Sequence, residues 1–248
     1  MLHFSFVVLN GIVKEKNSND FVCYVVHFEQ IHDGGPNMKI DAPKIPADLQ
    51  SKNFHDIFHE EELELEYCEI NQSNFENEII PRARLSKMTL KNCRFNNTSF
   101  ENIDLTDVYF EKCDFSNANM SKSMIHRVRF VDCKLLGVNF TESRFGNVQF
   151  EDSVLNLSIL GNSKIEKVRF NQCMLKNTDF YDCKLKTIEL QNCNIDGANF
   201  EETSLKGIDL STSTFEELQV SIPNLRGCKV SSNQAIQFAA LLGLVIKD

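Results

Sequence analysis

From Leu65 to Val230, every fifth residue of the chain is a large apolar side chain, and the series never shifts its phase. The 34 positions hold thirteen Phe, thirteen Leu, five Ile, two Val and one Met. Because 42% of the chain is hydrophobic, chance would fill 42% of 34, or about 14, of them. A period of five matches neither the 3.6 residues of an α-helix nor the 2.0 of a β-strand. The pattern therefore predicts a repeat architecture.

Each unit of five reads small, polar, large, polar, polar, as in residues 113–117 (Cys-Asp-Phe-Ser-Asn). The small and large residues are two apart, so in an extended segment both point to the same side. The last residue of the unit is Asn, Asp or Gly at 17 of 33 places from 67 to 227, which favours the positive φ of a type II turn. The unit therefore predicts a short extended segment followed by a turn.

Eight of the nine cysteines occupy the small position. That position holds Ala, Cys, Ser, Thr or Val at 26 of its 33 occurrences, so we interpret these cysteines as core residues rather than redox or metal groups. No CxxC pair occurs and His126 is the only histidine in the repeats, so zinc has no ligand set. Free thiols in this number favour a reducing cytoplasm. The eight are Cys68, Cys93, Cys113, Cys133, Cys173, Cys183, Cys193 and Cys228.

The net charge of −9 argues against a general binder of nucleic acid or anionic membranes, since those need clustered Lys and Arg. No apolar stretch approaches the length of a membrane span, which takes about 20 residues. Leu2 to Val13 lacks the basic start and cleavage site of a secretory signal. No nucleotide-binding Gly loop or Ser/His/Asp set appears, so the sequence predicts no enzyme, no cofactor and no metal.

The unit resembles the pentapeptide repeat, written A(D/N)LXX, over about two-thirds of the chain. The resemblance implies an all-β solenoid, a right-handed quadrilateral β-helix with four turns of about 90° and 20 residues per coil. The 34 units would then make eight and a half coils and a rod roughly 40 Å long. The clearest matches are Cys113-Asp114-Phe115, Ala118-Asn119-Met120, Val138-Asn139-Phe140, Thr178-Asp179-Phe180, Ala198-Asn199-Phe200 and Ile208-Asp209-Leu210.

Four regions follow from this pattern: an N-terminal extension over 1–37, a segment over 38–64 that leads into the β-helix and caps it, the β-helix over 65–230, and a C-terminal helix and tail over 231–248. The extension shows no period of five and ends in a breaker cluster at 32–37, so we hypothesise that Met38 is the natural start. The alternative is a real β-hairpin of residues 4–13 and 21–28. The prolines of 38–46 favour extended structure, and 53–62 favours a short capping helix.

After Val230 the sequence favours a helix, with N-cap candidates at 231–233 and a stop at Gly243. Its side chains are too apolar for a solvent-exposed helix, which leaves a cap on the rod or a dimer seam. The tail resembles that of Qnr-type fluoroquinolone-resistance proteins, and the resemblance favours an end-to-end homodimer. The implied interface is Ile236, Phe238, Ala239, Leu241, Leu242, Leu244 and Ile246.

The same resemblance implies a partner, DNA gyrase or topoisomerase IV, bound by imitation of duplex DNA. Imitation needs acidic side chains along an elongated surface. The alternative for each of these residues is an ordinary solvated surface. Because the period is unbroken, no projecting loop is expected, and loop-free relatives are the better comparison. The candidate stripe is Glu101, Glu142, Asp179, Asp182, Glu201 and Glu202.

A group of apolar residues at outward positions predicts either a partner surface or a patch covered by the N-terminal segment. They are Leu136, Val154, Leu157, Ile159 and Met174. The sequence as a whole therefore predicts a non-enzymatic, cytoplasmic, dimeric protein that binds a type II topoisomerase by DNA mimicry. The alternative is a structural interaction module for another partner, and an enzyme is the third choice.

Overall fold

A computed structural model of the protein describes residues 38–245 and residue 247. The expectations for residues 1–37, including the hairpin and the alternative start, fall outside these described residues. The same holds for Ile246 in the expected dimer interface.

The described chain winds into a solenoid of parallel strands, and from Glu64 onward the paired residues of neighbouring coils lie 20 positions apart. Leu85 pairs with Leu105, and Phe130 pairs with Phe150. The 20-residue coil is therefore confirmed, and the fold is the predicted quadrilateral β-helix with a C-terminal helix. The strands are β1 (Gln50–Ser51), β2 (Glu64–Glu66), β3 (Cys68–Asn71), β4 (Arg84–Lys91), β5 (Asp104–Glu111), β6 (Met124–Val131), β7 (Arg144–Glu151), β8 (Lys164–Asn171) and β9 (Lys184–Gln191).

The large apolar position of the unit forms the centre of the solenoid. It is buried throughout the repeats except at Leu185, Leu225 and Val230, which are partly buried against the same core. Phe130 lies between Phe110 and Phe150 with both ring centroids 4.9 Å away and nearly parallel planes. Offset stacking of this kind contributes beyond the buried area of the rings. The five-residue pattern thus produces one continuous core.

The small position faces inward as well and is buried at nearly every occurrence. Its hydroxyls and thiols donate to backbone carbonyl groups of the preceding coil: Ser158 Oγ lies 2.8 Å from the Leu135 oxygen, and Cys183 Sγ lies 3.2 Å from the Leu160 oxygen. Burial raises the pKa of Cys68 to about 11 and that of Cys183 to about 12, so both remain protonated at neutral pH. The eight described cysteines are free thiols.

The fifth position of each unit forms the corners. Its backbone φ is positive at 30 of 33 places from 67 to 227, as the turn prediction required. These places include Leu157, at 61°, and the β-branched Thr187, at 56°. Such side chains cost free energy in the left-handed region. The fold therefore overrides local preference at about half of its corners.

Both ends of the solenoid are covered. At the N-terminal end a 3-10 helix over Phe54–His59 is capped by Asn53 and buries Phe54 and Ile57 completely. At the C-terminal end lie α1 (Ile222–Leu225), α2 (Ser232–Ala239) and a 3-10 turn over Ala240–Leu242. The strands make about seven turns rather than eight and a half, because strand pairing weakens after β9 and α1 replaces a corner.

The corner geometry gives a stability prediction at Thr187. Replacing it with Asn, which tolerates positive φ, should stabilise the protein by about 1 kcal/mol. The check is the thermal midpoint, which should rise by about 2–4 °C for a chain of this length. Thr89→Asn, within β4, is the matched control and should not raise the midpoint. An equal rise in both variants would contradict the attribution to backbone strain.

Candidate interaction surfaces

The candidate acidic stripe follows one corner of the solenoid. Glu142, Asp182 and Glu202 all have positive φ, all are exposed, and they are separated by whole coils. Coils are about 4.8 Å apart, so Asp182 and Glu202 are separated by one such step and Glu142 and Asp182 by two. The structure brings these three predicted residues into one column.

The other three predicted stripe residues are less available. Glu101 Oε1 lies 2.9 Å from Lys122 Nζ, and Lys122 belongs to the same corner column as Glu142. Asp179 Oδ1 accepts hydrogen bonds from the Asn199 side chain at 2.9 Å and from the Tyr181 amide at 3.0 Å. Glu201 is partly buried. The open part of the stripe is therefore on the coils near the C-terminal end.

The C-terminal helix α2 packs one side on the end of the solenoid. Gln234 Nε2 donates to the Leu210 and Ser213 carbonyl oxygens at 2.9 and 2.8 Å, and Phe238 packs on Phe215 with ring centroids 5.3 Å apart. These contacts close the last coil and fix the helix against it. Gly243, with φ of +70°, follows the helical segment as a C′ residue, as the sequence predicted.

The opposite side of this C-terminal segment exposes apolar side chains. Ile236 is 52% exposed, Leu242 59% and Leu244 58%. Leu241 is also exposed, whereas Phe238 and Ala239 are partly buried. The predicted interface residues thus divide into packed residues and a group directed to solvent. Exposed apolar groups in such a cluster are typical of an interaction site.

The predicted apolar patch lies on the side of the solenoid. Leu157 is 57% exposed, Ile159 41% and Met174 37%, while Leu136 and Val154 are partly buried. Val154 and Met174 are register partners on neighbouring coils. The described part of the N-terminal segment makes its hydrogen bonds on a different side, so these bonds do not place it over the patch.

Residues 38–49, here called the strap, run along the outside of the solenoid. The Lys44 amide donates to Asp107 at 2.9 Å and the Asp41 amide to Asn147 at 3.2 Å. At its far end the Met38 amide donates to Glu189 at 2.8 Å. The three acceptors lie on every second coil. The strap therefore ties together coils that are not direct neighbours.

Asp107 is the buried anchor of the strap, with only 3% of the residue exposed. Arg127 donates to both of its carboxylate oxygens, at 2.5 and 2.7 Å. Burial by itself raises the pKa of the Asp107 carboxyl, but the hydrogen bonds from Arg127 and from the Lys44 amide outweigh burial and bring its pKa below the usual value. Asp107 is therefore an ionised group held by two partners.

Sequence reasoning predicted extended structure over 38–46 but missed the side of the solenoid on which this segment lies and the residues that anchor it. Asp107, Arg127 and Asn147 lie at the same corner on successive coils, and Arg169 and Glu189 are register partners on β8 and β9. Polar residues of complementary type, one coil apart, were the available signal. The strap itself contributes backbone amides, which every residue except proline carries, so its own side chains indicated no particular side.

Two further features of the described residues concern membranes and metal ions. Between residues 38 and 247, no described helix has the length and apolar character needed to cross a membrane. Within the same described residues, no three His, Cys, Asp or Glu side chains are grouped closely enough to hold a metal ion.

Two family models match the chain. One, described as pentapeptide repeat region, matches residues 103–170, 123–200 and 163–237. The other, described as pentapeptide repeats (8 copies), matches residues 83–121. Their matches together run from 83 to 237, more than half of the 248 residues. No curated protein sequence matches the chain significantly.

Several solved structures are similar to the chain. Full-length QnrB1, a plasmid-mediated fluoroquinolone resistance protein, is 16% identical, with 71% of this chain and 100% of that chain covered and a TM-score of 0.43. A trypsin-treated QnrB1 variant is 19% identical, with 72% and 90% covered and a TM-score of 0.41. HetL, a pentapeptide repeat protein involved in heterocyst differentiation regulation in the cyanobacterium Nostoc, is 13% identical, with 67% and 86% covered and a TM-score of 0.27. Similarities at this level say nothing about function.

The strap anchor gives a pH prediction. Because the pKa of Asp107 is lowered in the folded protein, its ionised form stabilises the fold above the ordinary carboxyl pKa of about 4, and this contribution is lost as the pH falls through the lowered pKa. Asp107→Asn should cost about 2 kcal/mol at pH 7 and progressively less toward pH 3. Urea unfolding at several pH values measures the difference.

The same variant should speed amide hydrogen exchange in residues 38–45, because the Lys44 amide loses a charged acceptor. Asp114→Asn is the control, since Asp114 pairs with Lys134 at 3.3 Å away from the strap. Unchanged exchange in the strap of Asp107→Asn would show that Asp107 does not hold it.

Proposed function

The chain belongs to the pentapeptide-repeat family, and we propose that it is a non-enzymatic binding protein that engages DNA gyrase or topoisomerase IV by imitating duplex DNA. The observation that carries the proposal is the open acidic corner of Glu142, Asp182 and Glu202 on a regular solenoid. Their backbone is fixed by pairing between coils, so the charges are held in a line. A line of fixed negative charge is the feature of DNA that a DNA-binding groove recognises.

The charge density supports imitation of one DNA strand. From Glu142 to Glu202 the corner advances three coils, or about 14 Å. One strand of B-DNA carries a phosphate about every 3.4 Å of axis, or about four over this length. The corner carries three open carboxylates over this length, at Glu142, Asp182 and Glu202, and Asn162 occupies the remaining place in the column. The match with a DNA strand concerns the approximate number of negative groups and the direction in which they run, and it does not extend to atomic positions.

A dimer would extend this surface. The exposed apolar residues Ile236, Leu241, Leu242 and Leu244 are at the C-terminal end, near the last coils of the acidic corner. Burying them against a second copy would remove apolar surface from water at a gain of about 25 cal/mol per Å². An end-to-end homodimer would bring two acidic corners toward one seam. We include a cytoplasmic location in the proposal, because eight free thiols suit a reducing compartment.

A second candidate function is an interaction module for a different protein. It is favoured by the apolar patch, in which Leu157 occupies a positive-φ corner with more than half of its surface exposed. Leucine is poorly suited to both the conformation and the exposure. A partner bound there would cover Leu157 together with Ile159 and Met174. Resistance to quinolones would follow from binding to DNA gyrase or topoisomerase IV, and not from this second function.

The gyrase proposal is tested by titrating the protein into DNA supercoiling reactions with and without a fluoroquinolone. Inhibition of supercoiling, or relief of the drug effect, is expected at micromolar protein. Asp182→Lys should weaken the effect about tenfold, because it reverses a charge in the middle of the corner. Asp132→Lys is the matched control, being an exposed aspartate at a positive-φ corner on another side. Absence of both effects at micromolar protein would remove the proposal.

The dimer proposal is tested by sedimentation at micromolar to high micromolar concentration. The native protein should sediment as a dimer, and Leu242→Glu should sediment as a monomer because a carboxylate would be buried at the seam. Leu157→Glu is the control: this side chain is similarly exposed but lies on the side of the solenoid, so the dimer should persist. A native monomer at high micromolar concentration would contradict the proposed dimer.

A further inference from the structure

Three cations are stacked directly on one another along one side of the solenoid. Arg144 pairs in register with Lys164, and Lys164 with Lys184, on the adjacent strands β7, β8 and β9. All three side chains are exposed. Like charges at directly opposed positions of neighbouring strands repel and destabilise the sheet. The stack is therefore a local cost to stability that the fold itself does not require.

In the first coils the charges of the same column differ in sign. There the residues are Glu64, Arg84 and Asp104, which alternate in sign. Arg84 Nη1 lies 3.0 Å from Glu64 Oε2, so these opposite charges form the cross-strand contact that the later coils lack. The geometry of the column is the same in both halves. Only the side chains differ.

The excess of positive charge continues around the next corner. Across this side and corner, the twelve outward positions from 144 to 207 hold six cations and one acid, Glu166, which pairs with Lys186 at 2.7 Å. The twelve equivalent positions from 64 to 127 hold three cations and four acids. For the other five cations, no carboxylate of the described residues lies within 4.0 Å. The six are Arg144, Lys164, Lys167, Lys184, Lys186 and Lys206, here called the basic face.

We propose that the basic face is a docking surface for an acidic segment of a protein partner. In a chain with a net charge of −9, six exposed cations on one side are a local concentration against the overall balance. Electrostatic complementarity of this kind steers association and fixes orientation. The acidic segment would supply the opposite charges that Glu64 and Asp104 supply in the first coils.

The neighbouring surface favours a protein over a nucleic acid. The acidic corner of Glu142, Asp182 and Glu202 borders the basic face, since Glu142 and Asp182 come two positions before Arg144 and Lys184. A nucleic acid presents a continuous line of phosphates and would meet repulsion along that border. A protein segment carries its acids on one side and leaves the border uncharged. This docking surface is distinct from the topoisomerase-binding corner and does not depend on that proposal.

The test uses the full chain and a fluorescein-labelled poly-L-glutamate peptide, with binding followed by fluorescence anisotropy. The native protein should bind at low ionic strength and lose affinity as salt is added. Lys164→Glu should bind about tenfold more weakly. It should also raise the thermal midpoint, because it converts the stack of three cations into an alternating column. A variant that loses binding while gaining stability is not explained by misfolding.

Two further variants complete the experiment. Arg94→Glu removes an exposed cation on another side and should leave peptide affinity unchanged. Lys164→Gln removes the charge without reversing it and should give an intermediate affinity, which keeps the test usable if Lys164→Glu folds poorly. Failure of the native protein to bind the peptide at low ionic strength overturns the proposal, as does equal affinity in the native protein and both Lys164 variants. Tighter binding of a DNA duplex than of the peptide, abolished by Lys164→Glu, overturns the choice of a protein partner.

Discussion

Backbone pairing between successive coils is the constraint on which the rest of this molecule depends. Its register is constant along the solenoid, from Arg84 with Asp104 through Phe170 with Leu190. Because each coil satisfies the amide and carbonyl groups of the next, any residue type repeated at this spacing is stacked on itself. The result is seen in the phenylalanine column, and in the asparagine ladder formed by hydrogen bonds between the side chains of one corner. Core, corners and surface columns all follow from one register.

That register explains why the sequence predicted the fold so fully. The inward positions at Phe130 or Cys183 are restricted to a few residue types by volume, and this restriction is visible as a period of five. The corners were also predictable, although Thr187 and Leu157 adopt positive φ against their own preference. Local propensity was the weaker signal there, since pairing on both sides of the corner fixes its backbone.

The surfaces were harder to predict from the sequence, because the volume of the core does not restrict the outward side chains. The acidic stripe was predicted as six residues, yet Lys122 occupies its corner column and holds Glu101. The position of the strap was not foreseen, since its contacts use backbone amides, as at Lys44. The one signal in the sequence for the position of the strap was the one-coil spacing between Asp107 and Arg127. The column in which a charged residue lies therefore decides what it contacts, and the overall charge composition does not.

The unbroken phase of the units has a consequence for how such a chain changes over generations. Insertion or loss of a single unit within the repeats would leave the core pattern intact but turn every later coil by one side. If the change fell between Lys164 and Asp182, then Asp182 and Lys184 would move to a different side from Glu142 and Arg144, and both charged surfaces would be broken at once. Addition of a whole coil would instead lengthen the solenoid by about 4.8 Å and preserve every column. Duplication of whole coils is therefore the change in length that keeps each surface residue of the protein in its column.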